Sequence, residues 1–284
     1  MSTFAEATRV VSRAAAGEFD VDLHERWSAA GTPHGGYLLA VLAEAARATA
    51  GEAHPHLTAV SATFVRAPKP GPAVAAVEVL GTGRAATQVR ATLSQDGAHK
   101  VVALITQGLL TDDDPWWSRR PPVEMPDPAD CVRQSVSPPG AGFEVALMEF
   151  VDSRVDRASL EFAFGRPTGR GVVKAYQRLA DGTDWDPSSL LVPLDFGPPG
   201  SFDLGINGAV KTMQLTAFVR GLPAPGAVLC ELQANQVDRD RMDETITLWD
   251  SKGRMVAQSH QIALVRVPER PADFTAAASP PEGT

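Results

Sequence analysis

Two blocks of this chain recur at a constant spacing of 154 residues, and that recurrence restricts the fold more than any other feature. Thr58, Phe64, Val65 and Arg66 match Thr212, Phe218, Val219 and Arg220; Val102, Ala103, Gln107 and Leu110 match Val256, Ala257, Gln261 and Leu264. The blocks lie in strand-like runs, with proline–glycine turns at nearly the same place in each copy. A duplicated unit follows, one helix and one antiparallel sheet per copy. Each sheet needs a partner to cover it, and the other copy is at hand.

Ahead of the first block lies Pro-His-Gly-Gly-Tyr-Leu-Leu-Ala-Val-Leu-Ala-Glu-Ala-Ala-Arg-Ala-Thr-Ala-Gly, residues 33–51. Leu38, Val41, Leu42, Ala45 and Ala48 or Thr49 recur at helical spacing, and Gly51 supplies a stop. The alanine-rich stripe predicts a helix that a sheet can wrap closely. Gly35 and Gly36 carry no side chains, so their backbone N–H groups, at the positive end of the helix, suit an oxyanion or polarised carbonyl.

Residues 4–17 read as a short helix or an irregular lead-in. Strands are predicted at 20–27, 57–66, 73–80, 84–95 and 99–109, an α+β pattern of one helix and a meander. Residues 112–144 are proline-rich and read as a linker across the surface. Strands at 159–165 and 171–179 follow. Asp186-Pro187-Ser188-Ser189 then opens a second helix, carrying Leu190, Leu191, Leu194 and Asp195 until Pro198-Pro199. Strands at 208–220, 227–236, 243–250 and 254–265 complete the second copy. The expected division is 1–111, 112–144, 145–266 and a disordered tail, 267–284.

Composition narrows the function classes. The 284 residues are 44% hydrophobic and 21% charged, with a formal charge of −8, which argues against general nucleic-acid or anionic-membrane binding. No apolar run approaches a membrane span and the N-terminus lacks a signal-peptide core, so a cytoplasmic protein is expected. Cys131 and Cys230 make no disulfide framework. Gly81-Thr-Gly-Arg-Ala-Ala86 matches a loose dinucleotide fingerprint, yet a strand follows where a helix is required. His54-Pro-His56 is too short and isolated for a metal site. The absence of a Gly-x-Ser-x-Gly elbow removes the α/β-hydrolase class.

Several pieces in order resemble the acyl-CoA thioesterase II (TesB-like) family over roughly residues 15–266. They are Gly-Thr-Pro-His-Gly-Gly-Tyr, His-Pro-His-Leu with Phe-Val-Arg-Ala-Pro, Gly83-Arg84 and Ser-Gln-Asp-Gly at 94–97. The second half supplies Phe-Val-Arg at 218–220, Leu-Trp-Asp-Ser-Lys-Gly-Arg at 248–254, and Gln261. The resemblance implies a double hotdog, two helix-plus-sheet units sharing a continuous sheet. It also implies hydrolysis of a fatty acyl-CoA without a covalent cofactor, and a homo-oligomer.

By that resemblance Asp195, Thr212 and Gln261 hold the hydrolytic water, although a one-residue shift would put Lys211 in the place of Thr212. The chemistry agrees: a carboxylate in a partly apolar groove suits a base, a hydroxyl and a carboxamide can aim water, and helix N–H groups suit the oxyanion. His34, Gly35, Gly36, Arg66 and Arg220 are assigned to substrate binding; Arg84 is a further arginine that could meet CoA phosphates. Glu44 is the rival base, but Ala43 occupies the place of the acid in single hotdogs, and Arg47 offers Glu44 an exposed ion pair. The first-half site is therefore expected to be vestigial. A non-catalytic acyl-CoA-binding hotdog is the alternative. A dehydratase using His34 as acid and base is a third reading.

Overall fold

The computed structural model describes residues 3–138, 142–195 and 197–268. The tail expected to be disordered lies, from residue 269 on, outside the described residues.

Among the described residues, one antiparallel sheet runs through the whole chain. Its strands are β1 (Val10–Ser12), β2 (Glu18–Leu23), β3 (His56–Phe64), β4 (Gly71–Thr82), β5 (Ala86–Gln95), β6 (Ala98–Gly108), β7 (Val132–Arg133), β8 (Val151–Val155), β9 (Val172–Leu179), β10 (Lys211–Val219), β11 (Val228–Asp238), β12 (Arg241–Trp249) and β13 (Met255–Leu264). The order is β1-β2-β4-β5-β6-β3-β10-β13-β12-β11-β9-β8-β7. Read outward from the β3–β10 junction, both halves follow the same path. At that junction Val60 lies opposite Ala217, and Ala62 opposite Leu215.

The duplication is real, but its structural spacing is not 154. Val77 pairs with Ala91 as Leu232 pairs with Ile246, 155 residues on in both strands. Val60 pairs with Ile105 as Leu215 pairs with Gln261, 155 and 156 residues on, with a bulge at the same place in each half. A spacing wrong by one residue exchanges the two faces of a strand. Phe64 therefore packs inward against the core while Phe218 stands outward, 45% exposed, despite the identical Phe-Val-Arg sequence.

The central helix, Gly35–Ala50, starts where His34 Nδ1 accepts the Tyr37 N–H. Gly36 through Ala43 are all buried, as are Ala45 and Ala46. The expected single stripe is thus widened to the full circumference of the first turns, because β3 to β6 wrap the helix and the second half closes its start. Ala40, Ala43, Ala45 and Ala46 let the strands come close without leaving voids. Ala48 is exposed.

Two expectations for the second half fail. The segment after Asp186 is not one helix but two 3₁₀ turns, Ser189–Leu191 and Pro193–Asp195, followed by a short helix, Gly200–Asp203. The start signal works, since Asp186 Oδ1 accepts the Ser189 N–H at 2.7 Å. Pro193 then lacks an N–H and its ring would collide with the Ser189 carbonyl, so α-helix cannot continue. The predicted strand at 159–165 is a 3₁₀ stretch, Arg157–Phe164, capped by Asp156 and closed by Gly165 in the left-handed region. The strand preceding it, β8, has three consecutive polar residues, Asp152, Ser153 and Arg154, and so carries no alternating signal in sequence.

The linker runs over the second half: the Trp249 indole donates to the Arg120 carbonyl, and Arg120 pairs with Glu231.

The halves meet backbone to backbone at Gly36, where a Cβ would stand 2.1 Å from the Leu191 carbonyl oxygen. Backbone opposes backbone there, so no side chain can rotate away. Gly36→Ala is expected to cost about 3 kcal/mol or more, the upper end for overpacking. Gly81→Ala, which meets nothing within 4 Å, should stay within about 0.5 kcal/mol. Urea unfolding of the two variants checks this; equal stabilities would refute the close contact.

Candidate active site

Asp195 reaches its place because the segment 193–195 lies across β12 and β13. Ser259 of β13 donates its hydroxyl to the Leu194 carbonyl at 2.7 Å and ties the turn down. The Asp195 carboxylate then points at the start of the other half's helix. Gly36 N–H donates to Asp195 Oδ2 at 2.8 Å. A Cβ on Gly35 would stand 2.6 Å from the same oxygen and 3.2 Å from the Phe64 ring. Only glycine leaves room for the acid.

The charge lies at the N-terminus of the first-half helix, where the dipole favours it. The glycine pair and the carboxylate, treated from sequence as marks of two separate sites, meet at one place. Gly36 N–H, expected to be open to an oxyanion, is engaged by Asp195.

Burial pushes the Asp195 carboxyl above the ordinary aspartate range, opposed by His34 and by the N–H groups of Gly36 and Gly35. His34 Nε2 lies 2.8 Å from the Asp195 carbonyl oxygen and 3.4 Å from Oδ2. With Nδ1 accepting from Tyr37, Nε2 is assigned as the donor.

Thr212 and Gln261 meet directly. Thr212 Oγ1 donates to Gln261 Oε1 at 2.9 Å. Gln261 Nε2 in turn donates to Glu244 Oε2 at 2.7 Å, and Gly200 N–H donates to Glu244 Oε1 at 2.7 Å. Glu244 is 1% exposed. Burial pushes its carboxyl from the ordinary 4.5 up to about 7, with Asp195 and Asp243 adding to the rise and the Gly200 and Gln261 hydrogen bonds opposing it. Glu244 escaped the sequence reading. Its signal is parity: it shares the inward face of β12 with Met242, Ile246 and Leu248, where a lone carboxylate is out of place.

The first half has no such set. By strand register, Leu57, Val89 and Ile105 occupy the places of Thr212, Glu244 and Gln261. All three are buried and apolar.

Other candidates stand elsewhere. Glu44 pairs with Arg47 at 2.7 Å, although its side chain is only 17% exposed rather than fully so. Arg66 is exposed. Arg220 lies over the Phe218 ring and reaches Gln258. Neither arginine hydrogen-bonds with Asp195, Thr212 or Gln261 among the described residues. His54 pairs with Thr87, and His56 accepts the Leu110 N–H.

Comparison with known proteins agrees with the architecture. Residues 23–108 match the acyl-CoA thioesterase N-terminal domain and residues 128–265 the acyl-CoA thioesterase C-terminal domain. An uncharacterised protein of Mycobacterium tuberculosis is 31% identical over 271 residues, covering 87% of this chain and 90% of its own. A candidate thioesterase II from Thermobifida fusca superposes with a TM-score of 0.84 at 28% identity, over 94% of this chain and 98% of that one. A hot dog fold protein of Alicyclobacillus acidocaldarius gives 0.80 at 19% identity, over 93% and 98% of the two chains. The chain belongs to the acyl-CoA thioesterase family, in its TesB-like double-hotdog form. No helix among the described residues is long and apolar enough to cross a membrane.

The buried carboxyls make stability depend on pH. Between 4.5 and about 7 the folded protein retains a proton on Glu244 that the unfolded chain has released, so stability falls as pH rises across that window. Asp195 acts with the same sign. The expected loss is on the order of 3 kcal/mol, and Glu244→Gln should remove most of it. Denaturant midpoints across that window check this; the same slope in wild type and variant would exclude Glu244 as its source.

Proposed function

We propose that the chain hydrolyses an acyl-CoA thioester to the free acid and CoA, with Asp195 as the base and Thr212 and Gln261 aiming the water. The observation that carries this reading is the carboxylate of one half held at the helix start of the other, on a turn packed over β12 and β13, where Gln261 of β13 meets Thr212. Asp195 accepts one proton from the water as its oxygen attacks the thioester carbon. The carbon–sulfur bond then breaks, and the proton is returned to the departing thiolate. Partial desolvation of Asp195 makes it a stronger base than a solvated aspartate.

His34 beside Asp195 also suggests the acid and base of a thioester dehydratase. Against this, Nδ1 accepts from Tyr37 and Nε2 lies against the Asp195 carbonyl, which leaves no ring nitrogen to remove a substrate proton. Thr212 and Gln261 would have no part in a dehydration.

Thiol release over a series of acyl-CoA chain lengths tests the proposal. Asp195→Asn should keep acyl-CoA affinity and lower the rate by about 10²–10⁴-fold. Glu44→Gln should leave it within about twofold, since an i,i+3 pair contributes only ~0.2–0.5 kcal/mol. Binding without thiol release from any chain length would indicate a non-catalytic hotdog. Loss of water from a 3-hydroxyacyl-CoA without thiol release would indicate the dehydratase.

A further inference from the structure

We propose that Glu244 is a positioning residue that fixes the amide sense of Gln261 and so turns the Thr212 hydroxyl oxygen toward the attacking water. The proposal rests on the hydrolytic reading above. Its basis is the linear chain Thr212–Gln261–Glu244–Gly200, in which every hydrogen bond donates toward Glu244.

An ionised carboxylate only accepts hydrogen bonds. It takes the Gly200 N–H on one oxygen and the Gln261 Nε2–H on the other. Gln261 must then present Oε1 to Thr212, and the Thr212 proton is committed to that oxygen. What Thr212 offers the water is its lone pairs. A water that gives one proton to Asp195 and the other to Thr212 aims its own lone pair at the thioester carbon.

Protonation of Glu244 reverses this polarity. The carboxylic acid donates its O–H, the Gln261 amide turns so that Oε1 accepts it, and Nε2 turns to Thr212. Thr212 Oγ1 now accepts from Gln261 and presents its hydrogen to the water, the wrong polarity for attack. The groups bearing on Glu244 make such a proton accessible near neutral pH. Asp195 faces it from the 193–195 turn, and Asp243, paired with His260, sits beside it on β12; both raise its affinity for protons. Gln261 comes from β13, the Gly200 N–H from the short helix, and Ala234 is its register partner on β11. Hydrolysis should therefore rise with pH as Glu244 ionises. In the first half Val89 stands at this register, with no amide beside it to orient.

Glu244→Gln separates the alternatives. Its amide oxygen accepts the Gly200 N–H and its NH₂ then faces Gln261, which locks the reversed polarity. We expect kcat to fall about 10- to 100-fold, the cost of a misdirected buried hydrogen bond, with KM within about threefold. The neutral-pH ionisation should vanish from the rate profile. In a Gln261→Ala background the same substitution should change the rate less than twofold, because Glu244 acts through Gln261. Independent losses that multiply, or a neutral arm that survives in Glu244→Gln, would overturn the proposal.

A readout without turnover separates this from failure of the hydrolytic reading. The side-chain amide resonance of Gln261, assigned by its loss in Gln261→Ala, should titrate near neutral pH in the wild-type protein. A Gln261 amide that does not titrate refutes the proposal whether or not thioester is cleaved. A titrating amide in a protein that releases no thiol would refute the hydrolysis and retain the switch.

Discussion

The structure depends on one contact, the hydrogen bond from Gly36 N–H to the Asp195 carboxylate. It joins the start of the first-half helix to a turn of the second half and is possible only because positions 35 and 36 lack side chains. A helix N-terminus has unpaired N–H groups and a positive partial charge. A buried carboxylate needs both. Each satisfies the other, so this contact between the two halves lies at the site proposed for their chemistry.

The asymmetry of the duplicated fold follows from what faces inward. In the first half Leu57, Val89 and Ile105 fill the space between sheet and core. In the second half the same register carries Thr212, Glu244 and Gln261, and the helix that would cover them is broken at Pro193 into short turns. A continuous helix would bury its apolar face against apolar strands. The broken segment instead presents Asp195 and the Gly200 N–H to a polar strand face. One half thus supplies packing and a helix dipole, and the other supplies the side chains.

Much of this was legible in sequence where the signal is local. The central helix and the strands from His56 to Gly108 follow from alternation, helical spacing and turn residues, and the Thr212 and Gln261 positions came from family resemblance. The 154-residue repeat is one residue short of the structural spacing in β10 to β12 and two short in β13, because identity in Phe-Val-Arg outweighs the facing of the side chains. The second helix runs past its true end in sequence because its start signal is genuine, while the break comes at Pro193 and not at Pro198-Pro199. The meeting of Gly36 and Asp195, 159 residues apart, has no local trace. Glu244 was visible in principle as a carboxylate on an inward parity position, but strand parity is informative only once the register is known.

The central claim is that one site, built from both halves, takes the thioester. The direct measurement is a crystal structure with a ketone analogue of acyl-CoA, in which a methylene replaces the thioester sulfur. The account predicts a single analogue per chain, its carbonyl carbon beside Asp195 and facing Thr212 and Gln261. A carbonyl bound instead against Leu57 and Ile105, or one in each half, would contradict it.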